Sequence, residues 1–358
     1  MENLVLVPET KTIEWSEFND IYKIDKLSVM TVNMRSLSNK FNEFIGHLSE
    51  LKCKLSFILV TETWLSENGD FLYDIPGYSS YNLYRDSRGG GMKMYVLENI
   101  RCKIIKASIN ACCETLLISA NVPSLGIIRI CGIYRPPQNS LSLFIDYLEQ
   151  LLIENSAHKF FILGDSNVNT LVQNNITLRY NELMNSFSMI NMIHDVPTYV
   201  KPNSEIDIGS SCLDHIWHNL DICGKPYVLY PALSDHKPCV VIFDKIGLKH
   251  EKLNVRFRDF SNENKNKFQL NIESEFDNFT GYHENVNIYA ENIEFFLKKL
   301  QNKYFPIKVK SFSQNSVKLP WLTSDLKKCI EKKHRWYRLK QSKIITVLSY
   351  KKYCSLLR

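Results

Sequence analysis

The chain has 358 residues, 44% of them hydrophobic and 23% charged, with a formal net charge of +6. That is long for one average domain, so one large domain with an appendage is expected. No apolar run approaches the roughly 20 residues needed to cross a bilayer, and MENLVLVPETKTIEW carries acids where a secretory signal carries a basic start and an apolar core. The expectation is an intracellular protein without membrane partners.

The net charge conceals an asymmetry. Residues 298–358 hold 17 basic and 2 acidic residues, which leaves 27 basic and 36 acidic residues before them. An acidic body with a basic tail is the resulting picture. The ten cysteines form no CxxC pair and no Cys/His ladder, which favours reduced, packed thiols over disulfides or zinc.

Residues 1–25 read as an N-terminal extension. From 26 to 245, short runs rich in Val, Ile and Phe alternate with helical periods. The strands expected are LSVMTVN, LSFILVTE, GMKMYVL, TLLISANV, IIRICGIY, FFILGD, HIWHN and CVVIF. In SLSNKFNEFIGHLSEL, Ser38 is placed to cap a helix whose face is Phe41, Phe44, Ile45 and Leu48. Leu141, Phe144, Ile145, Leu148 and Leu152 form a second face, and a third helix is expected over 178–190. Several strands follow one another without helices around residues 91–134, which argues against simple parallel winding. The predicted fold is a four-layer α/β sandwich, two packed mixed sheets flanked by helices, with a C-terminal helical extension. Residues 246–358 read as a basic helical linker, with helices in YAENIEFFLKKLQNKY and in PWLTSDLKKCIEKKHRWYRLKQS, the latter capped by Ser324.

The polar residues at strand boundaries carry the chemistry. LSVMTVN ends in Asn33, LSFILVTE in Glu62, IIRICGIY in Tyr134, and FFILGD in Asp165 with Asn167 just beyond; Asp214 precedes HIWHN, and Ser234, Asp235 and His236 precede CVVIF. Strand ends are where α/β sheets build ligand sites, because a rigid backbone there carries converging side chains. Singly, each of these residues also suits a turn or a solvated loop. Turns, however, require no particular mixture of acid, amide, His and Tyr.

In order along the chain, VTETWL (60–65), IYRPP (133–137), GDSN (164–167), LDHI (213–216) and SDH (234–236) resemble the endonuclease/exonuclease/phosphatase superfamily. Within it they are similar to the apurinic-type endonuclease domain of non-LTR retrotransposons. NMRSL (33–37), YRDSRGGG (84–91), PTY (197–199) and PWLTSDLKK add to the likeness, the last resembling the segment that leads toward a reverse transcriptase. No reverse transcriptase follows before Arg358, so the resemblance implies either a fragment or an open reading frame truncated before its polymerase.

The resemblance implies a Mg²⁺-dependent (or Mn²⁺-dependent) DNA endonuclease that leaves 3′-hydroxyl and 5′-phosphate ends for retrotransposition, in the nucleus. Glu62 and Asn33 would form the metal site, with Asp235 reaching the ion or its waters. Asp165 would orient or deprotonate the attacking water, Asn167 would bind the phosphate, and Asp214 would orient a protonated His236 toward a phosphate oxygen, with Tyr134 as a further donor. Arg35 stands where many members carry a second acid or amide, and Ser166 where an apolar residue is common. Two other readings remain open: a phosphatase or phosphodiesterase of the same fold, and an inactive nucleic-acid-binding module of a decayed or co-opted element. For DNA, the flanking loops offer Arg35, Arg85, Arg88, Lys201 and Ser211, with Tyr78, Tyr81 and Tyr84. KKHRWYRLK interleaves Trp336 and Tyr337 with cations, a composition suited to element RNA or DNA, or to packing against another domain.

Overall fold

The computed structural model describes residues 8–22, 26–85, 89–201, 210–248 and 253–312, together with 329 and 332. In chain order the sandwich begins with β1 (Lys11–Glu14), α1 (Trp15–Ile21), β2 (Lys26–Asn33), α2 (Leu37–Glu50) and β3 (Phe57–Thr61). A short 3-10 helix at Asp70–Tyr73 leads to β4 (Tyr78–Leu83), β5 (Met92–Leu97), β6 (Arg101–Ile109), β7 (Glu114–Val122) and β8 (Gly126–Tyr134). Then come α3 (Leu141–Asn155), β9 (Lys159–Asp165), α4 (Asn175–Ser186), β10 (Ile190–Asn191), β11 (Asp214–His218), β12 (Lys225–Tyr230) and β13 (Cys239–Gly247).

These strands make two mixed sheets, ordered β1-β12-β13-β2-β3-β5-β4 and β10-β11-β9-β8-β7-β6. Their inner faces close on one apolar core that includes Val29, Leu59, Met94, Leu116, Ile130, Leu163 and Val241. A second core, with Phe18, Phe44, Ile45, Val60 and Tyr95, lies between the seven-stranded sheet and the helices α1 and α2. A third, with Phe144, Leu148, Phe160, Tyr180 and Trp217, lies between the six-stranded sheet and α3 and α4. The result is the four-layer sandwich the strand and helix periods predicted. Each of the large side chains so buried stabilises by roughly 1.5–3 kcal/mol.

Three local readings change. Residues 11–21, expected as an extension, pair β1 with β12 and bury Trp15 and Phe18; four residues of polar-alternating KTIE are too short a strand to stand out by pattern. Ser36 rather than Ser38 occupies the α2 N-cap, at φ 88, because Ser36 and Leu37 donate their N–H groups to Glu62 and Thr63 carbonyls (2.9 and 3.0 Å) and so begin the helix early. The third helix runs over 175–186, earlier than expected, because Asn174 caps it by accepting from the Ile176 and Thr177 N–H groups. The cysteines among the described residues are free thiols, mostly buried.

A second compact unit lies within residues 250–316. It holds an antiparallel pair, β14 (Leu253–Arg258) and β15 (Ile307–Phe312), around α5 (Asn262–Asp277) and α6 (Val286–Tyr304). It is thus not purely helical: α6 matches the expected period, whereas the antiparallel strand pair and α5, built from the Asn- and Lys-rich SNENKNKFQLN, were not foreseen. The later PWLTSDLKK and KKHRWYRLK segments, with Ser324, lie outside the described residues.

Candidate active site

The six-stranded sheet places four polar side chains in one register row. Glu114 on β7 pairs with Tyr134 on β8, Tyr134 with Asp165 on β9, and Asp165 with Asp214 on β11. Paired residues in adjacent strands point to the same face about 4.8 Å apart, so these four line up side by side although 100 positions separate the first from the last. Gly164 makes the approach possible: its φ is 135, and a Cβ there would lie 1.9 Å from the Ile133 carbonyl oxygen.

The seven-stranded sheet supplies the other half from the ends of β2 and β3. Asn33 is fully buried and donates both hydrogens of its carboxamide, to Glu62 Oε1 at 2.8 Å and Asp165 Oδ2 at 2.9 Å. Two carboxylates can only accept, which fixes the amide nitrogen toward them. Glu62 follows β3 at φ 50 and also accepts from Trp64 Nε1 at 3.3 Å. Tyr134 hydrogen-bonds Glu62, and its phenol is held protonated by burial, with Glu62 and Asp165 adding to the effect.

His236 completes the cluster. Its Nδ1 lies 2.8 Å from Asp214 Oδ2, and its Nε2 lies 3.9 Å from Asp165 Oδ2. Burial alone would discharge the ring, but Asp214, with Asp165 and Asp235 behind it, offsets that and raises its pKa to about 9. The carboxylate 2.8 Å from Nδ1 thus favours the protonated ring, in which both nitrogens are donors. Asp165 moves up from the carboxylate range because it is buried beside Asp214, with His236, Asn33 and the Asn167 N–H opposing the shift. Asp165, Asp214 and His236 offer atoms all within 4.8 Å of one another, but a doubly protonated ring already bonded to Asp214 has no lone pair for an ion. Glu62, on the open side of Asn33, is the better carboxylate for a hard cation. Three carboxylates against one imidazolium leave negative charge that such a cation would offset.

Several residues that sequence reasoning did not single out hold this arrangement. Arg135, 4% exposed, donates Nε to the Ser166 carbonyl (2.7 Å), Nη2 to the Asn167 carbonyl (2.8 Å) and Nη1 to the Asn139 carbonyl (2.7 Å). Its own carbonyl accepts from Asn167 Nδ2 at 2.7 Å, and its N–H donates to the Asp165 carbonyl at 2.9 Å. Asn167, at φ 50, is thereby pinned beside Asp165, whose Oδ1 accepts its N–H at 3.0 Å. Thr198 donates its hydroxyl to Asp214 Oδ2 at 2.7 Å, and the Tyr199 ring lies 5.0 Å from that of His236. Arg135 and Thr198 were legible only as members of IYRPP and PTY. Glu114 had one signal, an acid directly ahead of the apolar run TLLISANV. It accepts from the Gly91 N–H at 2.7 Å, and the Gly90 and Gly91 carbonyls accept the Trp64 and Thr63 N–H groups.

The residues expected to grip DNA divide. Arg35 is at the site, paired with Asp235 at 2.7 Å and lying 5.9 Å over the Tyr199 ring; this pairing commits Asp235 to a protein cation. Arg85 pairs with the buried Glu114 at 3.3 Å. Tyr84 donates to Asp70 at 2.6 Å, while Tyr78 and Tyr81 donate to the Leu55 and Cys102 carbonyls (2.9 and 3.3 Å), so their hydroxyls are spent within the protein. Ser211 pairs by backbone with Tyr199, Lys201 is exposed, and Arg88 lies outside the described residues.

Residues 128–240 match the family model described as endonuclease-reverse transcriptase. The matched segment contains Tyr134, Asp165, Asn167, Asp214 and His236, whereas Asn33 and Glu62 lie earlier in the chain. Among solved structures, the chain is similar to the endonuclease domain of TRAS1, a telomere-specific non-LTR retrotransposon, at 12% identity and a TM-score of 0.49, over 63% of this chain and 100% of that one. It is similar to an AP endonuclease from Archaeoglobus fulgidus at 19% identity and 0.48, over 61% and 99%. A 3′-5′ exonuclease from Neisseria meningitidis gives 14% and 0.47, over 61% and 100%. No curated protein matches the sequence. No helix among the described residues is long and apolar enough to cross a membrane.

Proposed function

We propose that this protein is a divalent-metal-dependent endonuclease that nicks DNA by hydrolysing a phosphodiester bond. The observation that carries the reading is the convergence of Asn33 and Glu62 from one sheet with Tyr134, Asp165 and Asp214 from the other, around a charged His236. The group contains acceptors that can take a proton from water and donors that can hold a phosphate, and it lacks a serine or cysteine nucleophile. A Mg²⁺ or Mn²⁺ ion held by Glu62, whose carboxylate Asn33 orients through its amide N–H, would neutralise phosphate charge and polarise the P–O bond.

The chain's own residues divide the remaining work. Asp165, the carboxylate with the raised affinity for protons, orients the attacking water and accepts its proton. The His236 imidazolium, oriented by Asp214, places its Nε2–H on a non-bridging oxygen, where charge accumulates in the transition state. Tyr134, kept protonated, donates to the same phosphate. Asn167 supplies a further polar contact from a backbone that Arg135 has fixed. In-line attack then leaves 3′-hydroxyl and 5′-phosphate ends, and in an element of this family the 3′-hydroxyl would prime reverse transcription in the nucleus, with the basic tail available to element RNA.

A supercoiled plasmid incubated with the protein and Mg²⁺ tests this. Conversion to open circles that is abolished by chelation, by Glu62→Gln and by His236→Ala is expected. Tight binding without nicking would identify an inactive nucleic-acid-binding module, and release of phosphate from small monoesters without nicking would identify a phosphatase.

A further inference from the structure

Trp64 lies two residues past Glu62, and three observations set it apart. Its backbone is left-handed at φ 55, a region that a bulky side chain occupies only under constraint. The constraint is visible: the Trp64 and Thr63 N–H groups donate to the Gly90 and Gly91 carbonyls (3.0 and 3.2 Å), and the Thr63 carbonyl accepts the Leu37 N–H (3.0 Å). The Cβ that an alanine would add at Gly91 would meet Thr63 Oγ1 at 2.8 Å, so the clamp is shaped for glycine. Second, the indole Nε1–H points back to Glu62 Oε2 at 3.3 Å, which ties the ring's orientation to the carboxylate of the site. Third, the residue remains 41% exposed, and among the described residues no other ring packs against it.

A tethered, part-exposed indole beside a centre that handles phosphodiesters has the chemistry of a stacking platform. We propose that Trp64 receives the face of a nucleobase flanking the scissile phosphate, which makes the preferred ligand a strand with at least one base out of its stack. Every base has a π-face, so the contact gives affinity for nucleic acid over simple phosphate esters without selecting a sequence. It rests on the reading of the site as a nuclease, since the flanking base is defined by the phosphate bound next to Glu62.

The test compares two single-stranded oligonucleotides of equal length and charge, one with all its bases and one with abasic residues around its centre, by fluorescence anisotropy in Ca²⁺. The proteins are wild type, Trp64→Ala and Trp64→Phe, each first shown to have the wild-type urea midpoint. Expected are roughly ten-fold weaker binding of the base-bearing strand by Trp64→Ala, no change with the abasic strand, and near-wild-type binding by Trp64→Phe, which keeps the ring and loses the donor. Equal effects on both strands, no effect, or a Phe variant as weak as the Ala variant would overturn the proposal, the last because it would assign Trp64 to orienting Glu62. Plasmid nicking separates the two levels. Nicking with no Trp64 dependence of binding removes the platform and keeps the nuclease, whereas base-dependent binding without nicking keeps the platform and removes the nuclease.

Discussion

Asn33 and Asp165, 132 positions apart and on different sheets, are joined by a 2.9 Å hydrogen bond from Nδ2 to Oδ2. The same nitrogen donates to Glu62, so one carboxamide separates two carboxylates at the seam between the sheets. Replacing Asn33 with Asp puts a third acceptor between two others. Loss of about 1–3 kcal/mol of stability at neutral pH, from the urea midpoint, is expected for the unsatisfied buried groups. Asn33→Asp should also lower nicking by at least about a hundred-fold.

The Asp214–His236 pair predicts an alkaline limit. His236 is raised to about 9, above the unfolded value near 6.5. Its contribution to stability is therefore complete below about 6.5 and is lost as pH rises through about 9. If the imidazolium carries the phosphate, nicking should fall over the same alkaline range. In Asp214→Asn, burial is no longer offset by that carboxylate, and the limb should move down by more than one pH unit; a limb that stays in place would remove the pair from the mechanism.

Two buried histidines predict acid sensitivity with the opposite sign. Burial lowers His215 and His218 to about 4. Their neutral forms favour the fold above the unfolded value near 6.5, and that stability is lost as pH falls from there toward 4, by roughly 3 kcal/mol for each ring. His218 sits in the inter-sheet core against Phe161 and Phe243. Urea midpoints at pH 7 and pH 4.5 should differ less in His218→Gln than in the wild type.

Arg135 predicts a coupled loss of order and activity. Arg135→Met leaves the Ser166, Asn167 and Asn139 carbonyls without their donor, and about 3 kcal/mol or more of stability should go with them. Arg135→Lys keeps the charge but cannot reach three divergent carbonyls from one point. It should fold, by circular dichroism, yet nick with a lower kcat because Asn167 is no longer held beside Asp165.

The sequence by itself determined the sandwich and most of the polar side chains that converge at its rim. Runs such as FFILG and LSFILV have to be buried, and a polar residue at the end of such a run has to stand at the rim, so Asn33, Glu62, Asp165 and His236 were legible where they stood. It could not show which strands become neighbours. β pairing is long-range, and nothing local in CCETLL or LDHI states that Glu114, Tyr134, Asp165 and Asp214 share one row. Nor could it show that Tyr78 and Tyr81 spend their hydroxyls inside the protein, that Arg135 serves carbonyls rather than phosphates, or that Trp64 is turned outward. Those were decided only when two sheets packed face to face, because that packing settles which donors meet which acceptors and which faces remain in water.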